Sequence, residues 1–342
     1  MRATTLTVTL VIAVLAALPL SPVQAQSVAD FYRGKSLNLY IGFSVGGAYD
    51  LYGRLVARHM GKHIPGNPNI IPQNMAGAGS LRVANFIYAA APKDGTAFAT
   101  MGRGAAFGPM FNQSGAAFDA QKYTWLGSAN DEVSLCVSWH TSGVAKFEDI
   151  LTKELIIAAS GPTDETATVP RAINGILGTR MRVVTGYPGS PEMNLAMERG
   201  EVAGRCGLSW SSAKANLRQW LDEKKLQLLF QVSYAKHADL PDVPLIMDFA
   251  KTNEQRQLLR IFAARQVMGR PFLAPPDLPK DRADALRAAF MATLQDKEFL
   301  AEAEKAQLEI TPVSGERVQA LVDEVYATPP AIVKKAAEFV VQ

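Results

Sequence analysis

Between Ser36 and Gly102 the chain alternates short apolar runs, glycine-rich turns and amphipathic segments, and this alternation restricts its fold more than any other feature. Ser36-LNLYIGF reads as a strand, the turn Ser44-Val45-Gly46-Gly47-Ala48-Tyr49-Asp50 follows it, and residues 51–63 read as a helix. Residues 70–72 mark a second strand, the turn Gly77-Ala78-Gly79-Ser80 and a helix over 81–91 follow, and Thr96-AFATMG is a third strand. A strand, helix, strand, helix, strand order buries its apolar faces as a largely parallel sheet covered by helices. Ligands of such sheets sit beyond the carboxyl ends of the strands, where these turns lie.

A second unit with the same pattern follows the polar run Phe118-DAQKY. Residues 125–128, 133–139 and 153–160 read as strands, 167–177 as a helix ending at Gly178, 181–187 as a strand and 191–199 as a helix closed by Gly200. Residues 226–234 carry the chain back toward the first unit, and 254–262, 281–294 and 298–305 add helices. The expected organisation is one discontinuous domain, 26–127 with 236–342, and a second domain, 128–235, with a hinge and a cleft between them.

The first 25 residues have a different character. Arg2 precedes an apolar run over 6–20, and Val23-Gln24-Ala25 places small residues where a signal peptidase cuts. Residues 1–25 are therefore expected to be a signal peptide, which places the mature chain in the periplasm. The remaining basic residues are scattered and the whole chain carries only +3, so nucleic acid is not an expected partner. Cys136 and Cys206 are the only cysteines; an exported pair is open to a disulfide or to two buried thiols.

The turns suggest capture of an anion by backbone amides. Gly46 and Gly47 let the chain approach a ligand closely, and the helix behind them leaves its first amides, from Ala48 and Tyr49 onward, without intrahelical partners. Asp50 competes for those amides as a cap, with contact to a polar ligand group as its other reading. Gly79 and Ser80 repeat the arrangement, and the Ser80 hydroxyl is open to capping or to anion donation. A third turn, Ser160-Gly161-Pro162-Thr163, offers hydroxyls from the second domain, and a fourth, Gly186-Tyr187-Pro188-Gly189-Ser190, offers Tyr187 as pocket wall or as packing.

Arg103 follows the third strand and is a further cleft candidate. Arg205, between small residues in Gly204-Arg205-Cys206-Gly207, needs either an acidic partner or a ligand carboxylate. Trp210 is open to stacking on an organic ligand or to ordinary core packing. Catalytic signatures are weak: His59 and His63 lie four apart without an HExxH glutamate, GxGxxG does not occur, no GK[ST] ends the first glycine turn, and spacing nominates no histidine partner for the serines. No catalytic residue, metal ligand or cofactor is assigned.

Three blocks, Phe31-YRGKSLNLYIGFSVGGAYDLYGRLVARHM, Asn74-MAGAGSLRVANFIYAAAPKDGTAFAT and Thr185-GYPGSPEMNLAMERGEVAGR, together resemble the tripartite tricarboxylate transporter substrate-binding proteins, the Bug family of extracytoplasmic solute receptors. The resemblance runs from about residue 31 to the C terminus. It implies a type II periplasmic binding fold, two α/β domains that close on a di-, tricarboxylic or aromatic acid and deliver it to a membrane permease with a large and a small subunit. It also implies that Gly46, Gly47, Ala48, Gly79 and Ser80 hold one carboxylate and that the 160–163 turn faces the distal part of the ligand. This chain departs from the family in having Tyr49 directly before Asp50 and serine at position 80. The protein is expected to act as a monomer; a receptor that signals through a membrane sensor would use the same pocket.

Overall fold

The computed structural model describes residues 27–162 and 164–340. The expected signal peptide at 1–25 and the candidate Thr163 lie outside the described residues. The strands are β1 (Ser36–Ile41), β2 (Asn69–Asn74), β3 (Ala97–Thr100), β4 (Thr124–Ser128), β5 (Ser134–Trp139), β6 (Leu155–Ala159), β7 (Met181–Thr185), β8 (Gly204–Ser209), β9 (Leu226–Val232), β10 (Pro271–Ala274) and β11 (Val313–Ser314). They form two sheets, ordered β11-β4-β10-β3-β1-β2 and β7-β6-β8-β5-β9.

In the first sheet β1 runs parallel to both β2 and β3, as the alternating pattern predicts, with helices Ala48–His59 and Leu81–Ala89 as the connections. Alternation along β1 sends Leu37, Leu39 and Ile41 into the core, each fully buried. The sheet is nevertheless mixed. β10 inserts antiparallel between β3 and β4, and β11 pairs antiparallel with β4. The second sheet is mixed too: β6 is parallel to β7 and β8, whereas β5 is antiparallel to β8 and β9.

Cys136 on β5 and Cys206 on β8 form a disulfide between adjacent strands, both buried, which resolves the alternative left open by the sequence. One apolar cluster runs through both sheets, joining Phe107 and Trp125 to Cys136, Ile157 and Ile173. Helices Asn253–Ala264 and Pro330–Val340 pack on helix Glu165–Leu177, whose ends meet β6 and β7 of the second sheet. The ring of Phe339 lies 2.0 Å from where a Cβ on Gly175 would stand, so a side chain there would displace the last helix. Among the described residues no helix is long and apolar enough to cross a membrane.

Candidate ligand cleft

The glycine turns meet in pairs across the gap between the sheets. The turn after β1 abuts the turn after β7: Ser44 Oγ donates to Glu192 Oε2 at 3.0 Å, and a Cβ on Gly189 would fall 2.3 Å from Ser44 Oγ. The turn after β2 abuts the turn after β6: a Cβ on Gly161 would fall 2.4 Å from the Gly79 nitrogen. Backbone thus touches backbone, and the cleft is closed. Residues 77–80 are all left-handed, with φ of 144°, 49°, 62° and 81°, although Ala78 and Ser80 carry side chains. Such conformations are costly and persist where surroundings fix them; here Ser80 Oγ accepts a 2.7 Å hydrogen bond from the Gly102 amide. That bond ties the turn to the end of β3 and leaves the Ser80 hydroxyl engaged within its own lobe.

Between the paired turns lies a cavity of about 40 Å³, lined by Gly47, Ala48, Tyr49, Arg103, Ser160 and Arg205 together with Phe43, Asp164, Glu165, Thr166, Ser190, Met193, Gly207, Ser209, Ser212 and Arg270. That space holds a few waters or the head of a small anion. A wider opening, about 420 Å³, is bounded by Gly79, Ser160, Gly161 and Tyr187 among others.

Two helices start at the cavity without a side-chain cap. Gly47 is the N-cap of Ala48–His59 and Gly189 that of Ser190–Glu198, and neither start has a capping bond from its N-cap residue. Helix Glu165–Leu177 also begins here, but the carboxylate of its N-cap Asp164 accepts from Thr166 N at 3.0 Å. Asp50 is buried behind the first turn, where it accepts from Gly46 N at 2.9 Å, Arg54 Nε at 2.9 Å and Asn74 Nδ2 at 2.8 Å. The Gly46 amide is thus bound to Asp50, and Asp50 does not line the cavity.

The buried charges form a connected group. Arg103 Nε pairs with Glu165, and its Nη1 donates to Ser209 Oγ at 3.2 Å. Gln266 Nε2 donates to the other Glu165 oxygen at 2.7 Å. Burial pushes the Glu165 carboxyl up, but the charge and hydrogen bond of Arg103 outweigh it and hold the group down at about 2. Tyr49 stacks on Phe43 with ring centroids 4.6 Å apart, and its hydroxyl takes the Arg103 amide at 3.1 Å. Burial raises the Tyr49 pKa, so the phenol stays neutral. Arg270 lies over the rings of Tyr49 and Tyr52 and 3.4 Å from Glu132.

Arg205 is different. It is 2% exposed, its Nη1 donates to Asn194 Oδ1 at 2.9 Å and its Nη2 to Ser190 Oγ at 3.2 Å, while its Nε has no partner. Among the described residues no carboxylate forms an ion pair with it. Burial pushes the guanidinium down to about 10, which leaves it charged at neutral pH.

The structure therefore brings Gly47, Ala48, Tyr49, Arg103, Ser160 and Arg205 to one cavity and places Gly79, Gly161 and Tyr187 at its mouth. Trp210 lies elsewhere: it belongs to the apolar cluster of the second sheet, and its Nε1 donates to Asp239 at 2.9 Å. The serines beside it, Ser209 and Ser212, reach the cavity instead. Sequence reasoning missed Asp164, Glu165 and Arg270; only the Gly269-Arg270 pair, entering a strand too short for periodicity, hinted at the last. The histidine and carboxylate clusters His59/Asp296/Glu298 and His237/Asp239/Glu309 each already contain a lysine ammonium, from Lys62 and Lys214.

The chain superposes on the periplasmic binding protein BugD with a TM-score of 0.73 over 91% of this chain and 99% of that one, at 17% identity. The fold is that of the type II periplasmic binding proteins. The same fold recurs in MatC from Rhodopseudomonas palustris with bound malate, at TM-score 0.70, 17% identity, and coverage of 88% of this chain and 99% of that one. An R. palustris protein solved with adipate aligns at TM-score 0.68 and 17% identity, covering 89% and 97% of the two chains. No protein-family model matches this chain. No curated protein sequence matches it either. In the type II fold the cleft between the two lobes is the place where these turns, helix starts and arginines converge.

Proposed function

We propose that the protein is an extracytoplasmic solute-binding protein that captures a small organic carboxylate between its lobes and delivers it to a tripartite tricarboxylate transporter permease. The observation that carries this reading is the partly enclosed cavity, with serines and arginines in its wall, on which two uncapped helix starts, one from each lobe, converge. Orphan amides and the helix dipole favour negative charge at that point. The malate and adipate in two proteins of the same fold agree with an organic acid as solute. Binding without turnover fits the lining, which includes no histidine to serve as a base for its serines. Because the turns touch across the gap, solute enters an open form and is enclosed as the lobes close.

A thermal-shift screen of residues 26–342, stripped of carried-over solute, against mono-, di- and tricarboxylic, aromatic and amino acids tests the reading. The expected result is a selective, saturable rise in Tm of several degrees with at least one acid, from linkage of binding to folding. A flat response across the panel from a folded sample overturns it.

A further inference from the structure

Four buried arginines, Arg103, Arg205, Arg265 and Arg270, gather around this site with three buried carboxylates, Glu132, Asp164 and Glu165. Asp50 is occupied by Arg54 behind the first turn. The group therefore carries one positive charge more than it can neutralise. Arg103 and Arg270 have Glu165 and Glu132, and Arg265 donates to Thr168 Oγ1 at 2.8 Å outside the cavity lining. Arg205 is the arginine on the cavity wall without a carboxylate.

A buried guanidinium that pairs directly with no carboxylate, Asp164 and Glu165 acting on it only through space, is costly, and its side-on edge is the part short of partners. Nε and Nη2 share that edge, which matches the two oxygens of a carboxylate. Nε is unpartnered, and Nη2 holds only the Ser190 hydroxyl, at 3.2 Å. The same edge lies beside the helix starts, since a Cβ on Gly47 would stand 4.0 Å from the Ser190 nitrogen. Glu192, the acid near this end, is turned away to Ser44 and does not line the cavity.

We infer that Arg205 is the specificity-determining residue of the cleft: its Nε and Nη2 receive one carboxylate of the solute side-on, with the start of helix Ala48–His59 completing the site from the opposite lobe. This rests on the carboxylate reading above and adds that recognition is by fixed charge. An uncharged isostere, such as the primary amide of the same acid, would leave the guanidinium unpaired and is rejected.

The test uses malate, adipate and lactate, each with its mono-amide or amide counterpart, and isothermal titration of the mature wild type, Arg205→Met and Arg205→Lys. Wild type is expected to bind at least one acid and to discriminate against its amide by about 100-fold, the scale of a charge-assisted pair. Arg205→Met is expected to lose about 100-fold in affinity for the acid and to bind acid and amide alike, while its ligand-free Tm stays level or rises because an unpaired buried charge is gone. Arg205→Lys, which keeps charge but not the fork, is expected to fall between and serves if the methionine variant does not fold. Wild-type affinity for the acid in either folded variant overturns the role of Arg205 and leaves the solute-binding reading standing. Failure of wild type to bind any of the three, together with a flat thermal-shift response across the full acid panel, overturns both; an acid that the panel finds instead takes their place in the same comparison.

Discussion

Glu165 joins the two lobes through its charge: it sits at the start of a second-lobe helix, yet its partners Arg103 and Gln266 come from segments flanking β3 and β10 of the first sheet. Its carboxyl titrates at about 2 in the folded chain against an ordinary 4.5. A depressed folded pKa means stability present above 4.5 and lost as pH falls through the folded value, so the contribution should disappear between pH 4.5 and 2. Urea melts of wild type and Glu165→Gln are expected to differ at pH 7 and to converge across that acid window; parallel curves down to pH 2 would remove the ion pair from the account. Residues of this kind were only partly legible. Arg205 announces its burial through small neighbours, but its missing partner is a three-dimensional fact. Asp50 leaves the first amides of helix Ala48–His59 uncapped and accepts from Gly46, Arg54 and Asn74 instead, whereas Trp210 turned into the core and passed its place on the cavity to adjacent serines.

The elements that build the cleft are its turns, and their closure relies on the absence of side chains at the contact. Gly161 faces Gly79 so closely that alanine there would meet backbone at 2.4 Å, which cannot move as a flexible side-chain tip can. Gly161→Ala is expected to keep the fold and near-wild-type denaturation of the lobes but to hold them apart. X-ray scattering should then show a larger radius of gyration with solute than for wild type, and affinity should fall at least 10-fold; unchanged compaction would mean that the turns do not meet on closure. Most of this framework was readable because Ser36 to Gly102 repeats period and turn chemistry together. β10 and β11 were not, since four and two residues show no alternation. Helix Gly315–Tyr326 was available to a closer reading: Ser314 caps it and Val318, Leu321, Val322 and Val325 keep helical spacing on the buried face.

At the scale of the whole molecule, the disulfide ties β5 to β8 across a sequence separation of 70 residues. Closing so long a loop restricts the unfolded chain, and the double variant Cys136→Ser with Cys206→Ser is expected to lose about 2–4 kcal/mol in urea denaturation. Since Arg205 precedes Cys206 on the strand, solute affinity measured beside stability separates a general brace from one that aims the arginine. Equal stability with and without the bridge would dismiss its contribution. The sequence identified both cysteines and the α/β layering of both lobes, but gave no sign that the C-terminal segment returns to the second lobe, because such docking depends on a distant glycine rather than on local pattern.

That return has a consequence for biogenesis. Phe339 of helix Pro330–Val340 seats on Gly175, made more than 160 residues earlier. During vectorial synthesis the second lobe therefore completes its strands while one face of helix Glu165–Leu177 is still bare. A nascent chain stalled or clipped before residue 330 would present that apolar strip to chaperones and proteases, so arrival of this helix is what completes the second lobe.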